Sequence, residues 1–215
     1  EIYTGTTSSA ASDVYKRQQL GLASYQDDIA QYIRLLLRWN RAYNLVATTD
    51  ELTLINRHIF DCLAARPFIA EGPCLDVGTG AGLPGLILAV TMPSTEWVLL
   101  DANGKKTRFC QQVVRALGLD NVRVVQQRLQ HHHPEHCYMT IISRAYSQAA
   151  GFVLSSAHLM CDGGRILAMK GRIAREEKAD ALTAGLHVEI EPMHAPGQTG
   201  ERHMMIFKKK AWQEP

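Results

Sequence analysis

Two overlapping glycine patterns lie between Cys74 and Val90 and carry the clearest chemical signal in the sequence. Asp76-Val-Gly-Thr-Gly-Ala-Gly82 reads DxGxGxG, and Gly80-Ala-Gly-Leu-Pro-Gly85 reads GxGxxG. Glycines at such spacing allow a tight turn, and the N–H groups of the next helix can then meet a ligand. GxGxxG is the dinucleotide fingerprint, whereas DxGxGxG is typical of loops that bind S-adenosylmethionine (SAM). Both patterns predict a nucleotide-type cofactor but do not say which.

Two acids near the loop help to separate the two cofactors. Asp101 follows the loop by about 20 residues, the distance at which an acid hydrogen-bonds ribose hydroxyls, and this suits either cofactor. A carboxylate from Asp76 would repel a pyrophosphate, whereas SAM carries an ammonium and a positive sulfur that attract it. We therefore expect a SAM site that includes Asp76, Gly78, Gly80 and Asp101. A nicotinamide dehydrogenase is the alternative that GxGxxG supports.

Strands and helices alternate around this loop. Hydrophobic patterning predicts strands at 74–77, 97–101, 122–126, 138–143 and 165–170, and a final antiparallel pair at 188–191 and 203–208. Helices are predicted from about Tyr25, from Leu52 to Phe68, after Pro84 and from Lys105 to Leu117. This alternation predicts an α/β fold, a Rossmann-like three-layer sandwich with a mostly parallel sheet and an N-terminal helical cap.

Length and composition fit one globular domain. The 215 residues are 46% hydrophobic and 20% charged, with a formal net charge of +2, which is ordinary for a globular protein. Such a chain suits one α/β domain with a decorating element. We expect a non-native or disordered leader at 1–18, a helical cap at 19–71, an integrated core at 72–210 and a tail at 211–215.

Cysteine usage and hydropathy bear on the compartment. No run approaches the about 18 apolar residues of a membrane span, and the leader lacks the apolar stretch of a secretion signal. The five cysteines are scattered without a Cys-x-x-Cys pair, which argues against a disulfide framework or a structural zinc site. We therefore expect a cytoplasmic protein with no membrane partner.

Four histidines lie together between the third and fourth predicted strands, at positions 131, 132, 133 and 136. A metal site would need further ligands, and one loop without a partner acid or cysteine makes a weak case. We predict that this segment is a solvent-exposed loop and that the protein holds no metal.

Several segments together resemble the bacterial RsmG (GidB) methyltransferases, which methylate the 7-nitrogen of a guanine in small-subunit ribosomal RNA. The matching segments are LLLRWNRAYNLVA (35–47), RHIFDCLA (57–64), LDVGTGAGLPG (75–85), LLDANGKKTRF (99–109), ISRAY (142–146), LAMKG (167–171) and GERHMMIFKK (200–209). The Trp-Asn-x-x-Tyr-Asn-Leu and Ser-Arg-Ala segments are far more specific than the glycines. The resemblance implies a SAM-dependent (guanine-7-)methyltransferase.

The resemblance also assigns places around the cofactor. It puts Gly78, Gly80 and Leu83 on the methionine side, Asp101 near the ribose, Leu129 and Gln130 beside the adenine, and Arg144 at the mouth of the active site. Gln130 stands where the family usually has an acid, and an amide offers one acceptor oxygen and one donor in its place.

The residues after the fourth predicted strand narrow the chemistry. They contain no Asn/Asp-Pro-Pro-Tyr segment of the kind that serves exocyclic amines, and neither Cys137 nor Cys161 takes the place of a thiolate nucleophile. The 7-nitrogen of guanine has an exposed lone pair, so catalysis can rest on proximity without a general base. We expect Arg144 to be the catalytic residue, holding a phosphate or the acceptor edge of guanine. An ion pair with a neighbouring acid is the alternative.

Basic residues close to the predicted carboxyl ends of the strands indicate an RNA surface. The candidates are Lys105, Lys106, Arg108, Lys170, Arg202 and His203, with the basic run 208–210. The expected partner is small-subunit ribosomal RNA, or the 30S particle or its precursor, and we expect a monomer. Alternatives are a SAM enzyme for another RNA or a small molecule, and a non-catalytic nucleotide- or RNA-binding module.

Overall fold

A central β-sheet divides the molecule into layers. The computed structural model describes residues 22–144, 146, 148–173, 186–195 and 200–209; the predicted leader and tail, with Ala145 and Lys210, lie outside them. Within the described residues the strands are β1 (Cys74–Val77), β2 (Trp97–Asp101), β3 (Val122–Gln126), β4 (Tyr138–Ser143), β5 (Met160–Lys170), β6 (His187–Pro192) and β7 (His203–Lys208). Their order across the sheet is β3-β2-β1-β4-β5-β7-β6.

The strand directions match the prediction. Strands β1 to β5 pair in parallel, and β7 runs antiparallel to both β5 and β6. The bounds of β1 to β4 agree with the sequence pattern, whereas β5 starts at Met160, five residues before the predicted Arg165. Residues 160–164 include Gly163 and Gly164, which mask a strand pattern because glycine is unfavourable in strands.

Helices cover both faces of the sheet. The helices are α1 (Gln26–Tyr43), α2 (Glu51–Leu54), α3 (Phe60–Ala64), α4 (Gly85–Thr91), α5 (Gly104–Leu117) and α6 (Ala149–Ser156). Alternate residues of each strand point to opposite layers. Leu99 of β2 packs with α1, α4 and α5, and Leu100 packs in the core that contains Phe152 of α6. The predicted three-layer α/β sandwich is confirmed.

The helical cap forms from two segments. Helix α1 buries Ile29, Tyr32 and Leu36 along one face, and Asn44 ends the helix with φ 49°. The buried Asn40 side chain then holds the following turn, accepting from Val46 N at 2.9 Å and donating to Val46 O and Thr48 O. This network explains why asparagine stands at that point of the Trp-Asn-x-x-Tyr-Asn-Leu segment.

The helix predicted from Leu52 to Phe68 is present but irregular. Between α2 and α3, residues Ile55–Ile59 form a π-helical turn, and Arg66–Phe68 form a 3₁₀ turn that begins beside a proline. A π turn widens the helix and changes the direction of its side chains. Here the turn contains His58, which faces the candidate site.

The structure corrects the prediction from the cysteines. Cys137 and Cys161 form a disulfide whose Cα atoms lie 5.0 Å apart. They meet because β4 and β5 are adjacent, with Tyr138 paired to Met160. The spacing along the chain hides this proximity, since the two cysteines are separated by 24 positions. The other three cysteines, Cys62, Cys74 and Cys110, are buried free thiols. Among the described helices, none is both long enough and apolar enough to span a membrane.

Candidate functional site

The glycine loop leaves β1 at the carboxyl edge of the sheet. Gly78 and Gly80 adopt φ values of 68° and 60°, a left-handed conformation that favours glycine. A Cβ added at Gly78 would meet no atom within 4 Å, and one at Gly80 would meet its nearest atom at 3.8 Å. These two glycines therefore expose backbone at the point where a ligand would approach. Gly82 and Gly85 instead face packed side chains.

Asp76 is fully buried beneath this loop. Its Oδ2 accepts hydrogen bonds from Thr79 Oγ1 at 2.7 Å and from Gly85 N at 2.8 Å. Burial raises the pKa of the Asp76 carboxyl to about 6, although both hydrogen bonds and the Arg144 charge oppose that rise. Its Oδ1 is buried with no hydrogen-bond partner in the described structure. Asp76 thus fixes the loop through one oxygen and keeps the other for a donor.

Asp101 closes the loop from the end of β2. Its Oδ2 accepts from Gly80 N at 2.9 Å, and its Oδ1 accepts from Asn103 N at 2.8 Å. The ammonium of Lys106 lies 4.0 Å from Oδ2. The neighbouring Asn103 caps α5 by accepting from Lys105 N at 2.9 Å. The two strand ends therefore fix the glycine loop through the two predicted acids.

The helical cap is attached directly to this loop. Tyr32 of α1 donates from its hydroxyl to Ala81 O at 2.8 Å, and burial raises the pKa of Tyr32 well above its usual range. Cys110 of α5 lies against Gly80 O. The sequence did not single out Tyr32, because its position in a core-facing helical stripe predicts only packing.

Arg144 lies directly after β4 and contacts the cap. Its Nη1 is 2.8 Å from His58 Nδ1. Burial, and then the charges of Arg144, Arg57 and Arg202, lower the pKa of His58 to about 4. Since the guanidinium can only donate, neutral His58 accepts this hydrogen bond. The alternative of an ion pair between Arg144 and a neighbouring acid remains a prediction.

A second pair lies beside the first. Arg202, just before β7, places Nε 3.3 Å from Oδ1 of the buried Asp61. This contact joins the two charges without an aligned hydrogen bond, since Asp61 Oδ1 has no hydrogen-bond partner in the described structure. His58 and Asp61 are three positions apart in a helical segment, the spacing that places side chains on a common face. That spacing was the available signal for Asp61, which our sequence reasoning did not single out.

The remaining predicted residues lie in different surroundings. Lys170 donates to Tyr146 O at 2.9 Å, and His203 Nδ1 lies 3.0 Å from Gly171 O, so both hold backbone at the β5–β7 end. Leu83 and Leu129 are buried in the two main cores, whereas Gln130 is exposed. Lys105 and Arg108 are exposed on the first turns of α5. The roles predicted for these residues remain predictions.

The histidine loop lies at the opposite, amino edge. It borders a cavity of about 660 Å³ whose walls include Trp97, Val122 and Tyr138 at the starts of their strands. The prediction of a solvent-exposed loop is wrong for His132, which is buried and lies 2.9 Å from the Tyr138 hydroxyl. No group of three or more metal-binding side chains occurs within the described ranges.

The chain is similar to known proteins over most of its length. Residues 25–205 match the family model described as rRNA small subunit methyltransferase G (GidB). A ribosomal RNA small subunit methyltransferase G of Xanthomonas euvesicatoria is 42% identical over 188 residues, covering 87% of this chain and 88% of that protein. The protein of that name from Alkalilimnicola ehrlichii is 44% identical over 181 residues, with coverages of 84% and 82%.

Solved structures share the fold at low sequence identity. The glycopeptide N-methyltransferase MtfA, solved with S-adenosyl-L-homocysteine, aligns with a TM-score of 0.62 at 10% identity and covers 71% of this chain and 87% of its own. A precorrin-6y C5,15-methyltransferase from Geobacter metallireducens aligns with a TM-score of 0.53 at 11% identity, with coverages of 79% and 92%. These similarities concern the fold alone.

Proposed function

The chain belongs to the rRNA small subunit methyltransferase G family, and we propose that it methylates the 7-nitrogen of a guanine in small-subunit ribosomal RNA with SAM as methyl donor. The observation that carries the proposal is the glycine loop held between Asp76 and Asp101, with Arg144 after the adjacent strand. The substrate class comes from the names of the related proteins. The position on guanine comes from the resemblance of the sequence.

The loop residues fit SAM. Gly78 and Gly80 leave their backbone open to a ligand, and the buried Asp76 Oδ1, which has no hydrogen-bond partner among the described residues, would accept from the ammonium of SAM. Asp101, 9% exposed at the end of β2, would meet the ribose hydroxyls. Leu83 would contact the methionine side, and Leu129 and Gln130 the adenine. When bound, SAM supplies an electrophilic methyl group.

The residues of this chain then have to bind and orient the guanine. The 7-nitrogen needs no deprotonation, so no side chain has to act as a base. The acids at the loop accept from backbone or from Thr79, and His58 is neutral and engaged with Arg144. Arg144, its guanidinium oriented by His58, would bind a phosphate or the acceptor edge of the guanine. This arrangement favours catalysis by proximity and charge.

The test is to restore the modification in a bacterial strain that lacks it. We expect expression of this chain to return one 7-methylguanosine to small-subunit RNA, detected by mass mapping. The Arg144→Ala variant should lose at least about 100-fold in turnover, as expected when an oriented cation at a reacting centre is removed, while SAM affinity measured by calorimetry changes less. Wild-type protein that is soluble, binds SAM and leaves the RNA unchanged would contradict the proposed substrate.

A further inference from the structure

The residues of helix α1 that point inward form a stripe along one face, and this stripe continues one turn beyond the core. The stripe residues Tyr32 and Leu36 are 0% and 1% exposed, but Tyr43, seven positions after Leu36 and therefore on the same face, is 44% exposed. A large apolar residue on that face ordinarily packs against the core. The structure instead leaves a large aromatic ring in solvent at the end of the cap.

The surroundings of Tyr43 hold its ring in place. Trp39, one turn earlier, lies against it with ring centroids 5.2 Å apart, and Trp39 in turn meets Phe109 of α5 edge-on at 5.7 Å. The exposed ring is therefore supported from the core through two aromatic contacts. A supported ring offers a flat apolar surface at little conformational cost.

The same ring lies at the edge of the sheet that holds the glycine loop. The Lys105 ammonium is 5.9 Å from the centroid of the Tyr43 ring. Lys105 is in the first turn of α5, next to Lys106, whose ammonium is 4.0 Å from Asp101 Oδ2. Tyr43 thus lies beside the first turn of α5, the helix that follows Asp101 at the end of β2.

We propose that Tyr43 is a stacking platform for an unpaired base of the RNA next to the target guanine, with Lys105 contacting the adjoining phosphate. This inference rests on the proposed function and adds a substrate-binding residue to it. Single-stranded bases stack on aromatic rings in RNA-binding proteins, and cations beside the ring neutralise the backbone. An exposed cation over a ring is only weakly held, so Lys105 can leave the ring when a base covers it.

Charge favours RNA over a protein partner at this place. Lys105 and Arg108 are both exposed on the first turns of α5, and the carboxylate of Asp101 accepts hydrogen bonds from the backbone of Gly80 and Asn103. Three arginines of α1 do not belong to this surface. Arg34, Arg38 and Arg41 lie on the face of the helix opposite Tyr43, as the helical period requires. They supply matched control positions.

The experiment uses full-length protein with 30S particles and naked small-subunit RNA from a strain that lacks the modification. We expect Tyr43→Ala to raise the KM for the better substrate by about 5- to 150-fold, the range for loss of one stacked base. Tyr43→Phe should stay near wild type, since the ring face remains. SAM affinity should be unchanged in both. Leu154→Ala, which truncates another exposed apolar side chain, should have no effect.

The salt dependence of RNA binding distinguishes base stacking on Tyr43 from the phosphate contact of Lys105. Lys105→Ala should flatten the slope of log affinity against log salt by about 0.7, as for one lost phosphate contact on a single strand, whereas Tyr43→Ala and Arg38→Ala should keep the slope. A KM unchanged in Tyr43→Ala, or equal losses in Tyr43→Phe and Tyr43→Ala, would overturn the stacking. A parallel loss of SAM affinity would show a structural role instead. A wild-type protein that methylates neither substrate would mean that the proposed function, not the platform, is wrong.

Discussion

Polar groups are arranged differently at the two edges of the sheet, where the strands end (the carboxyl edge) and where they begin (the amino edge). At the carboxyl edge two buried carboxylates, Asp76 and Asp101, accept backbone N–H groups and shape a glycine loop. The link between β3 and β4 runs from the carboxyl edge back to the amino edge; it contains a short 3₁₀ turn, Leu129–His131, and reaches the amino edge in the histidine loop. The cavity of about 660 Å³ borders this link, and Val98 and Val125, which line it, are only partly buried.

The difference teaches that cavity size is a poor guide to chemistry in this fold. The cavity of about 660 Å³ lies at the amino edge, and pockets of that size often mark binding sites. Parallel α/β sheets bind ligands at the carboxyl ends of their strands. Here that edge holds Gly78 and Gly80, both with positive φ, and the buried Asp76 Oδ1, which has no hydrogen-bond donor among the described residues. The arrangement of polar groups identifies the site.

The largest expected effect comes from adding one methyl group under the loop. A Cβ at Gly85 would lie 2.7 Å from Asp76 Oδ2 and 2.9 Å from Asp76 Cβ, and would also overlap Leu99. Gly85→Ala must therefore displace the carboxylate that orders the loop. We expect a loss of about 1–3 kcal/mol of folding free energy from overpacking. SAM affinity should fall at least about tenfold, which corresponds to about 1.4 kcal/mol of binding free energy.

The same change elsewhere provides the control. Gly151 is exposed in α6, and a Cβ there would meet nothing within 4 Å. Gly151→Ala should leave SAM affinity unchanged and stabilise the protein by up to about 1 kcal/mol through helix propensity. Denaturant melts and SAM calorimetry on both variants test the contrast. Equal SAM affinity in Gly85→Ala and wild type would contradict the role given to the Asp76–Gly85 contact.

Much of the fold could be predicted from the sequence because strand patterns and turn residues are local. The bounds of β1 to β4 follow from short apolar runs ended by glycine or polar residues. The disulfide could not be predicted, because it depends on β4 and β5 becoming neighbours. The burial of His132 likewise depends on Tyr138, whose hydroxyl meets it across the loop.

The site could be predicted in part for the same reason. The glycine loop and its two acids belong to one motif and one strand end, so their position follows from the chain. The contact between His58 and Arg144 joins positions 86 residues apart, and Arg202 reaches Asp61 from near the other end of the chain. Such contacts depend on the packed cap. Asp76 was expected to face SAM; the structure shows in addition that its carboxylate is buried and accepts hydrogen bonds from Thr79 and Gly85.

The next prediction concerns pH at the carboxyl edge. The pKa of Asp76 rises from 3.8 to about 6, because burial favours the neutral acid. If the ionised Asp76 Oδ1 receives the ammonium of SAM, wild-type affinity should increase about tenfold between pH 5 and pH 7, as the carboxyl ionises. Asp76→Asn should bind SAM more weakly and with no such pH dependence over that range. Calorimetry at both pH values measures this, and an equal pH dependence in the variant would contradict the contact.

The stability of the unliganded protein should change in the opposite direction. A folded-state pKa above the unfolded value means that Asp76 contributes stability below pH 3.8, and this contribution is lost as pH rises through about 6. A pKa rise of this size corresponds to about 3 kcal/mol of folding free energy. Relative to Asp76→Asn, wild type should therefore lose stability between pH 4 and pH 7 in denaturant melts. A difference between the two proteins that is independent of pH would refute the assigned pKa.

The smallest effect is expected at the amino edge. Tyr138→Phe removes the hydroxyl 2.9 Å from His132 Nε2 but keeps the ring that stacks on this histidine. Loss of one buried hydrogen bond should cost about 1 kcal/mol and lower the Tm by about 2–4 °C. Burial lowers the pKa of His132, so the neutral ring contributes stability at neutral pH, and that contribution is lost as the pH falls. SAM affinity and turnover should equal wild type, since this edge lies at the far ends of the strands. A loss of SAM affinity in Tyr138→Phe would show that the two edges are coupled.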